Sequence, residues 1–368
     1  MIRIAFDIHT IGQRATGNET YSAGLLRAFQ DDPQDDMELY YYHFDALEHA
    51  NLKGRFRRLW PRWPYARIPL TTPYFLARDR IDAAHFQYIA PPLSPCATVL
   101  TVHDLSYERY PEFFSPAMSA RMRLLMPYMT RRATQIITVS QATRDDLVEF
   151  YKIAPERITV IHNGAPQGFQ VMAGPERARD ASARLALERP FILCVGNLGA
   201  RKNQRLLVRV FARLIREQSI EHDLVLVGKH TESAKPILDE IHRQGIGDRV
   251  HVTGYATQQE LVALYNLATF SVYPSRYEGF GLPILESMAC GTPVITSAVS
   301  CMPEIAGDAA LLIDPQNEDA LFDAMYRLLE SESLRARLRH AGLERCKQFS
   351  WAEAARRTFA VYRTAIAG

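Results

Sequence analysis

Glu278 and Glu286 are separated by seven residues, among them Gly279, Gly281 and Pro283. A carboxylate pair invites a glycosidase reading, in which the two groups stand roughly 5–9.5 Å apart across one scissile bond. Eight helical steps would instead place the Cα atoms about 12 Å apart. That spacing fits two separate contacts along one elongated ligand. For either residue alone, a solvated glutamate at a helix start, favoured by the macrodipole, is the plainer alternative. Pro283 suits the first helical position, where a missing N–H is harmless. Gly291 and Pro293 then read as a helix stop before the apolar Val294-Ile295-Thr296. The turn Gly279-Phe280-Gly281 therefore leads into a helix N-terminus, whose unpaired N–H groups suit an anion.

Other chemistries lose ground on the same sequence. No G-x-G-x-x-G follows the first strand-like run, and no G-x-x-x-x-G-K-[ST] occurs. Nicotinamide chemistry and P-loop phosphoryl transfer are disfavoured accordingly. There is no D-x-D triplet and no His pair at zinc-like spacing, so no metal site is expected. The five cysteines are scattered and form no C-x-x-C, which predicts reduced thiols and a cytoplasmic protein. No apolar run approaches the roughly 18 residues that span a bilayer. The N-terminus meets Arg3 and Asp7 early and reads as a core strand.

The elements that must position these residues alternate along the chain. In the first half, strands are predicted at 2–7, 38–43, 83–87, 98–103, 135–140 and 158–162, with helices at 20–29, 116–132 and 140–151. The second half runs strand 191–195, helix 204–218, strand 223–228, helix 235–244, strand 250–253, helix 258–268 and strand 270–273. The glutamate segment follows, then a strand at 309–313 and one helix from 318 to about 337. Such alternation implies parallel sheets covered by helices. With 368 residues, 47% hydrophobic and 23% charged, the chain fits two domains and an ordinary globular composition. The expected division is 1–168, a linker over 169–189, 190–350, and a terminal segment 351–368 that returns to the first domain. Two doubly wound domains would make a cleft for a ligand.

Five segments, in this order, resemble one family. They are Val102-His103-Asp104, Ile161-His162-Asn163-Gly164, Gly196-Asn197-Leu198-Gly199-Ala200-Arg201-Lys202-Asn203, Pro274 through Glu286, and Met302-Pro303-Glu304-Ile305-Ala306-Gly307. The chain resembles the family 4 retaining glycosyltransferases of the GT-B fold, also called group 1 glycosyltransferases. The resemblance implies an α/β protein with two Rossmann-like domains that transfers a hexose from a nucleotide sugar without a metal or other cofactor. It implies that Glu286 binds the ribose hydroxyls and that Glu278 lies near the donor sugar. The amides of Gly279, Phe280 and Gly281 would face the sugar and diphosphate. Arg201 and Lys202 would hold the diphosphate, whose growing charge needs cations in the absence of a metal. Some relatives carry an arginine where this chain has Asn197. Gly17 would belong to the glycine-rich loop of the first domain. His103 would line the sugar site; taken alone, a His at a strand end is more often a structural hydrogen-bonder. The motif forms lean toward GDP-mannose, with a UDP-sugar next, and toward a glycan or lipid-linked acceptor in cell-surface polysaccharide synthesis. A nucleotide-sugar epimerase of the same fold and a catalytically silent glycan-binding protein are the alternatives.

Residues 51–67 carry Lys53, Arg55, Arg57, Arg58, Arg62 and Arg67 with no acid, interleaved with Phe56, Trp60, Trp63 and Tyr65. Cations among aromatics suit an anionic bilayer surface, so peripheral contact with the inner membrane face is expected. The helix at 116–132 adds methionines and arginines. A solvated loop and a core helix are the competing readings. Nucleic acid is disfavoured by a short patch and a net charge near +2.

Overall fold

The computed structural model describes residues 1–13, 17–44, 52–174, 178, 187–229 and 232–368. About half of the expected linker at 169–189 lies outside these, as does Asn51. The chain divides into two compact units, Met1–Gly164 with Phe349–Gly368, and Ala165–Gln348.

The first unit is built on seven strands: β1 (Ile2–Asp7), β2 (Met37–His43), β3 (Arg55–Arg58), β4 (Ala83–Gln87), β5 (Ala97–Val102), β6 (Gln135–Thr138) and β7 (Ile158–Val160). All pair in parallel in the order β3-β2-β1-β4-β5-β6-β7, so the winding reverses between β1 and β4. The strand cores are buried on both faces and mostly apolar, as Ile4, Phe6, Val99, Leu100 and Ile136 illustrate, with His85 and Thr101 as buried polar exceptions. Strands 98–103, 135–140 and 158–162 each end earlier than expected. At the second of these, Ser140 leaves the ladder because its hydroxyl caps the helix Gln141–Tyr151, accepting from Thr143 N at 3.2 Å. The final helix, Trp351–Ala367, packs on α1 (Gly17–Asp31), with Phe29 and Phe359 rings 4.5 Å apart. Trp351 lies over Gly24 and Gly164, where an added Cβ would come within 2.4 Å of its side chain.

One strand was not expected. Arg55–Arg58 falls inside the basic aromatic segment and pairs with β2, Tyr40 opposite Arg55 through His43 opposite Arg58. Its arginines find acids elsewhere in the unit. Arg55 meets Glu38 at 2.5 Å and Arg57 meets Asp79 at 2.5 Å. Arg58 donates to the Phe44 carbonyl, and Arg67 is buried over the Phe44 ring, 4.0 Å from Asp7. Gly54 enters this strand at φ +111, where a Cβ would strike the Tyr41 ring at 2.7 Å. The neighbouring Trp60, Trp63, Tyr65 and Leu70 are each more than 60% exposed. In the helix Pro116–Arg132, Met122, Met126 and Met129 face the core while Leu124 is exposed.

The second unit repeats the design with β8 (Phe191–Val195), β9 (Asp223–Val227), β10 (Val250–Gly254), β11 (Phe270–Tyr273), β12 (Val294–Ser297) and β13 (Ala310–Ile313). The order is β10-β9-β8-β11-β12-β13, all parallel, reversing between β8 and β11. The helix Gln204–Gln218 buries Leu206, Leu207, Val210, Phe211 and Leu214 against this sheet. The single helix expected from 318 is two, Glu318–Glu330 and Glu332–Cys346. Ser331 adopts extended angles between them and caps the second by accepting from Leu334 N. Among the described residues no helix is long and apolar enough to cross a membrane.

Candidate active site

In an open parallel sheet, loops at the carboxyl ends of the strands diverge where the winding reverses, and a ligand fits there. In the second unit those loops follow β8 and β11. After β8 the chain makes a tight turn through Gly196, at φ +149, into a single 3-10 turn, Ala200–Lys202. Close packing enforces this path, because a Cβ on Gly228 would lie 2.1 Å from the Gly196 carbonyl. Asn203 closes the turn at φ +59, its side-chain amide donating to the carbonyls of Pro274 and Pro315. The two loops are therefore stitched together, with Arg276 N donating to the Arg201 carbonyl at 2.9 Å.

Arg201, Lys202 and Glu278 meet at this place. Glu278 is buried and accepts from Arg201 Nη1 and Lys202 Nζ, each at 2.7 Å. Lys202 also donates to the Tyr273 hydroxyl at 2.6 Å, and Arg201 to the Tyr277 carbonyl at 2.9 Å. The Ser300 hydroxyl donates to the Glu278 carbonyl. Burial alone would raise the Glu278 carboxyl, but Arg201 and Lys202 overcome it and hold the group down at about 2. Burial lowers Lys202 while Glu278 draws it back. Two cations and one carboxylate leave a net single positive charge.

The helix Leu282–Ala289 begins one residue before the expected start, so Pro283 occupies its second position, and Gly281 forms the N-cap at φ +88. Phe280 is buried and Gly291 ends the segment at φ +71. Glu286 lies on this helix and accepts from the Tyr265 hydroxyl at 3.0 Å. Its surroundings contrast with those of Glu278. Among the described residues no cation bonds it, and burial pushes its carboxyl up to about 7. Asn197 accepts from Lys229 N through its side chain, while its carbonyl accepts from Gln204 Nε2.

In the first unit the corresponding reversal lies between β1 and β4. Gln87 ends β4, and His103 follows β5. His103 is buried between the rings of Tyr21 and Tyr88, with centroids 4.8 and 5.5 Å away. Burial lowers its imidazole to about 3, so it is neutral. Gly17 opens α1 in open space, with no described atom near the site of a Cβ. Tyr265, Tyr273, Ser300 and Gln87 are the site residues that sequence reasoning missed. Each sits in an ordinary apolar or strand-end context that carries no local signal.

Two doubly wound parallel sheets with these loop clusters define a two-domain α/β protein of the GT-B fold. The sucrose-phosphate synthase of Thermosynechococcus elongatus is similar over 100% of both chains, at TM-score 0.79 and 23% identity. The Anabaena protein HepE in complex with UDP-glucose matches 98% of this chain and 99% of its own, at TM-score 0.77 and 18% identity. The chain belongs to the group 1, family 4 glycosyltransferases. The Glycosyl transferases group 1 profile covers residues 176–345, and the Glycosyltransferase Family 4 profile covers 17–167. The O-antigen chain mannosyltransferase B of Escherichia coli is 30% identical over 266 residues, which is 72% of this chain and 70% of that protein.

Proposed function

We propose that this glycosyltransferase moves mannose from GDP-mannose to a glycan or lipid-linked acceptor in cell-surface polysaccharide synthesis, with retention at the anomeric carbon. The observation that carries the reading is the buried Glu278–Arg201–Lys202 cluster at the sheet reversal of the second unit. A nucleoside diphosphate leaving group gains negative charge as the bond to the sugar breaks. Two preorganised cations in a partly buried setting stabilise that charge far better than water does. Glu286 is assigned to the ribose, where a carboxyl group can accept from both hydroxyls of the diol. Gly279, Phe280 and Gly281 are assigned to offer the amides for sugar and diphosphate, and Asn197 is assigned to the same donor. On the first unit, His103 and the loop at Gly17 are assigned to sugar and acceptor.

In the reaction the anomeric C–O bond to the diphosphate breaks and a bond to the acceptor hydroxyl oxygen forms on the same face. The acceptor proton passes to the departing phosphate oxygen. Glu278, held ionised by two cations, is suited to stabilising positive charge on the sugar ring and poorly suited to donating a proton.

Similarity to a mannosyltransferase supports mannose, while a UDP-sugar is favoured by the structural likeness to a UDP-glucose complex. The exposed Trp60, Trp63, Tyr65 and Leu70 beside Arg62 support peripheral contact with an anionic membrane. Thermal-shift measurements with GDP and UDP test the donor assignment. One of the two should raise the melting temperature in proportion to ligand excess, and stabilisation by neither would refute nucleotide binding.

A further inference from the structure

We propose that Gln87 is a positioning residue that fixes the tautomer of His103, so that His103 presents an unprotonated Nδ1 to a hydroxyl of the substrate. The inference rests on the assignment of His103 to the substrate site made above.

His103 Nε2 and Gln87 Oε1 are 2.7 Å apart. Gln87 Nε2 in turn donates to Ser22 Oγ at 2.7 Å, Ser22 Oγ is 2.8 Å from Thr10 Oγ1, and Thr10 Oγ1 donates to the Asn18 carbonyl at 3.3 Å. Counting protons along this chain gives it a direction. Thr10 has one hydroxyl proton and gives it to Asn18, so Ser22 must donate to Thr10. Ser22 then has only lone pairs to offer Gln87, which meets it with the amide N–H₂ and turns its carbonyl oxygen to His103. That oxygen can only accept, so Nε2 carries the proton. The opposite amide orientation would require Ser22 to donate to Gln87 and Thr10 to donate to Ser22, giving up the Thr10–Asn18 bond. Gln87, Ser22 and Thr10 are all buried, so water does not compete for these positions.

The other ring nitrogen, Nδ1, has no partner among the described residues. The ring cannot turn freely, since Tyr21 and Tyr88 flank it and the His103 carbonyl accepts from Thr143 Oγ1 at 3.1 Å. A neutral imidazole with Nε2–H bound inward presents a pure acceptor at Nδ1. Its complement is a hydroxyl donor on a sugar or acceptor. The hydrogen bonds end at Asn18 in the first turn of α1, next to Gly17, so that turn and the histidine share one polar frame.

Nitrogen-15 NMR of the histidine-labelled full chain, with His103 assigned through His103→Asn, reads the tautomer without any substrate. A protonated-type Nε2 and a pyridine-type Nδ1 are expected; the reverse pattern overturns the proposal. In Gln87→Leu the His103 signals should move to a mixture of tautomers, with kcat down about tenfold or more, the weight of one hydrogen bond. Gln87→Glu keeps an acceptor facing Nε2 and should keep the wild-type tautomer, with Ser22 turned to donate to the carboxylate, Thr10 to donate to Ser22 and the Thr10–Asn18 bond given up. An unchanged Nε2–H tautomer in Gln87→Leu would also overturn it. Absence of transfer with every donor would defeat the assigned function, while the NMR pattern would still decide the role of Gln87.

Discussion

Replacing Glu278 by Gln removes one charge and leaves two cations in its place. At neutral pH a carboxyl held at about 2 rather than 4.5 favours the ionised, paired form by about 3 kcal/mol. Loss of one partner from a buried ion pair costs a similar amount, because the remaining charge stays uncompensated. A unit of this size loses about 2–4 °C per kcal/mol, so a fall of roughly 6–12 °C in melting temperature is expected. The sign with pH follows from the depressed value. This contribution is present above about 4.5 and is lost as pH falls through about 2, so the gap between wild type and variant should close in acid. Removing the carboxylate also raises the local net charge from +1 to +2. If Arg201 and Lys202 hold the diphosphate, calorimetry should find GDP or UDP bound about tenfold more tightly by Glu278→Gln, near the worth of one charge-assisted bond. Transfer should nonetheless slow. An unchanged melting temperature would show that the cluster stores no pairing energy. A lowered one with unchanged or weaker nucleotide binding would refute the diphosphate assignment.

The raised carboxyl of Glu286 predicts proton release on nucleotide binding. A ribose diol donates to the ionised form, so about half a proton should leave at pH 7, measured by calorimetry in buffers of different ionisation enthalpy; Glu286→Gln should release none. The same raised value makes the folded unit hold a proton that the unfolded chain loses, so its contribution to stability should decline as pH rises from about 4.5 to about 7. Gly24→Ala drives a methyl into the Trp351 side chain and should destabilise the packing of the final helix on α1 by about 1–3 kcal/mol, read from the buried Trp351 in a Trp60→Phe, Trp63→Phe background. Sedimentation with anionic vesicles should pull down the chain more than neutral vesicles do, and Trp60→Ala with Trp63→Ala should abolish the difference.

The strand and helix alternation was legible because parallel strands buried on both faces are short continuous apolar runs, as 191–195 and 223–227 show. Arg55–Arg58 was not, because its residues look like a charged loop until Glu38 and Asp79, distant in sequence, supply the acids. The Ser331 break was hidden by good helix formers on both sides. At the site, sequence placed Glu278, Arg201 and Lys202 on loops but not in one cluster, since 76 residues separate Lys202 from Glu278 and only the adjacency of β8 and β11 joins them. The contrast between the two glutamates was likewise invisible. It comes from burial, which raises Glu286 against the opposing hydrogen bond from Tyr265, whereas at Glu278 two cations brought in by a turn overcome the same burial.

The most direct test of the assigned function follows labelled sugar from GDP-mannose and, in parallel, from UDP-glucose into a panel of mannose-terminated oligosaccharides and lipid-linked glycans. Label from GDP-mannose should enter a larger product, with free GDP formed and the new linkage α-configured. Consumption of neither donor, or conversion of a nucleotide sugar into its epimer with no acceptor modified, would contradict it.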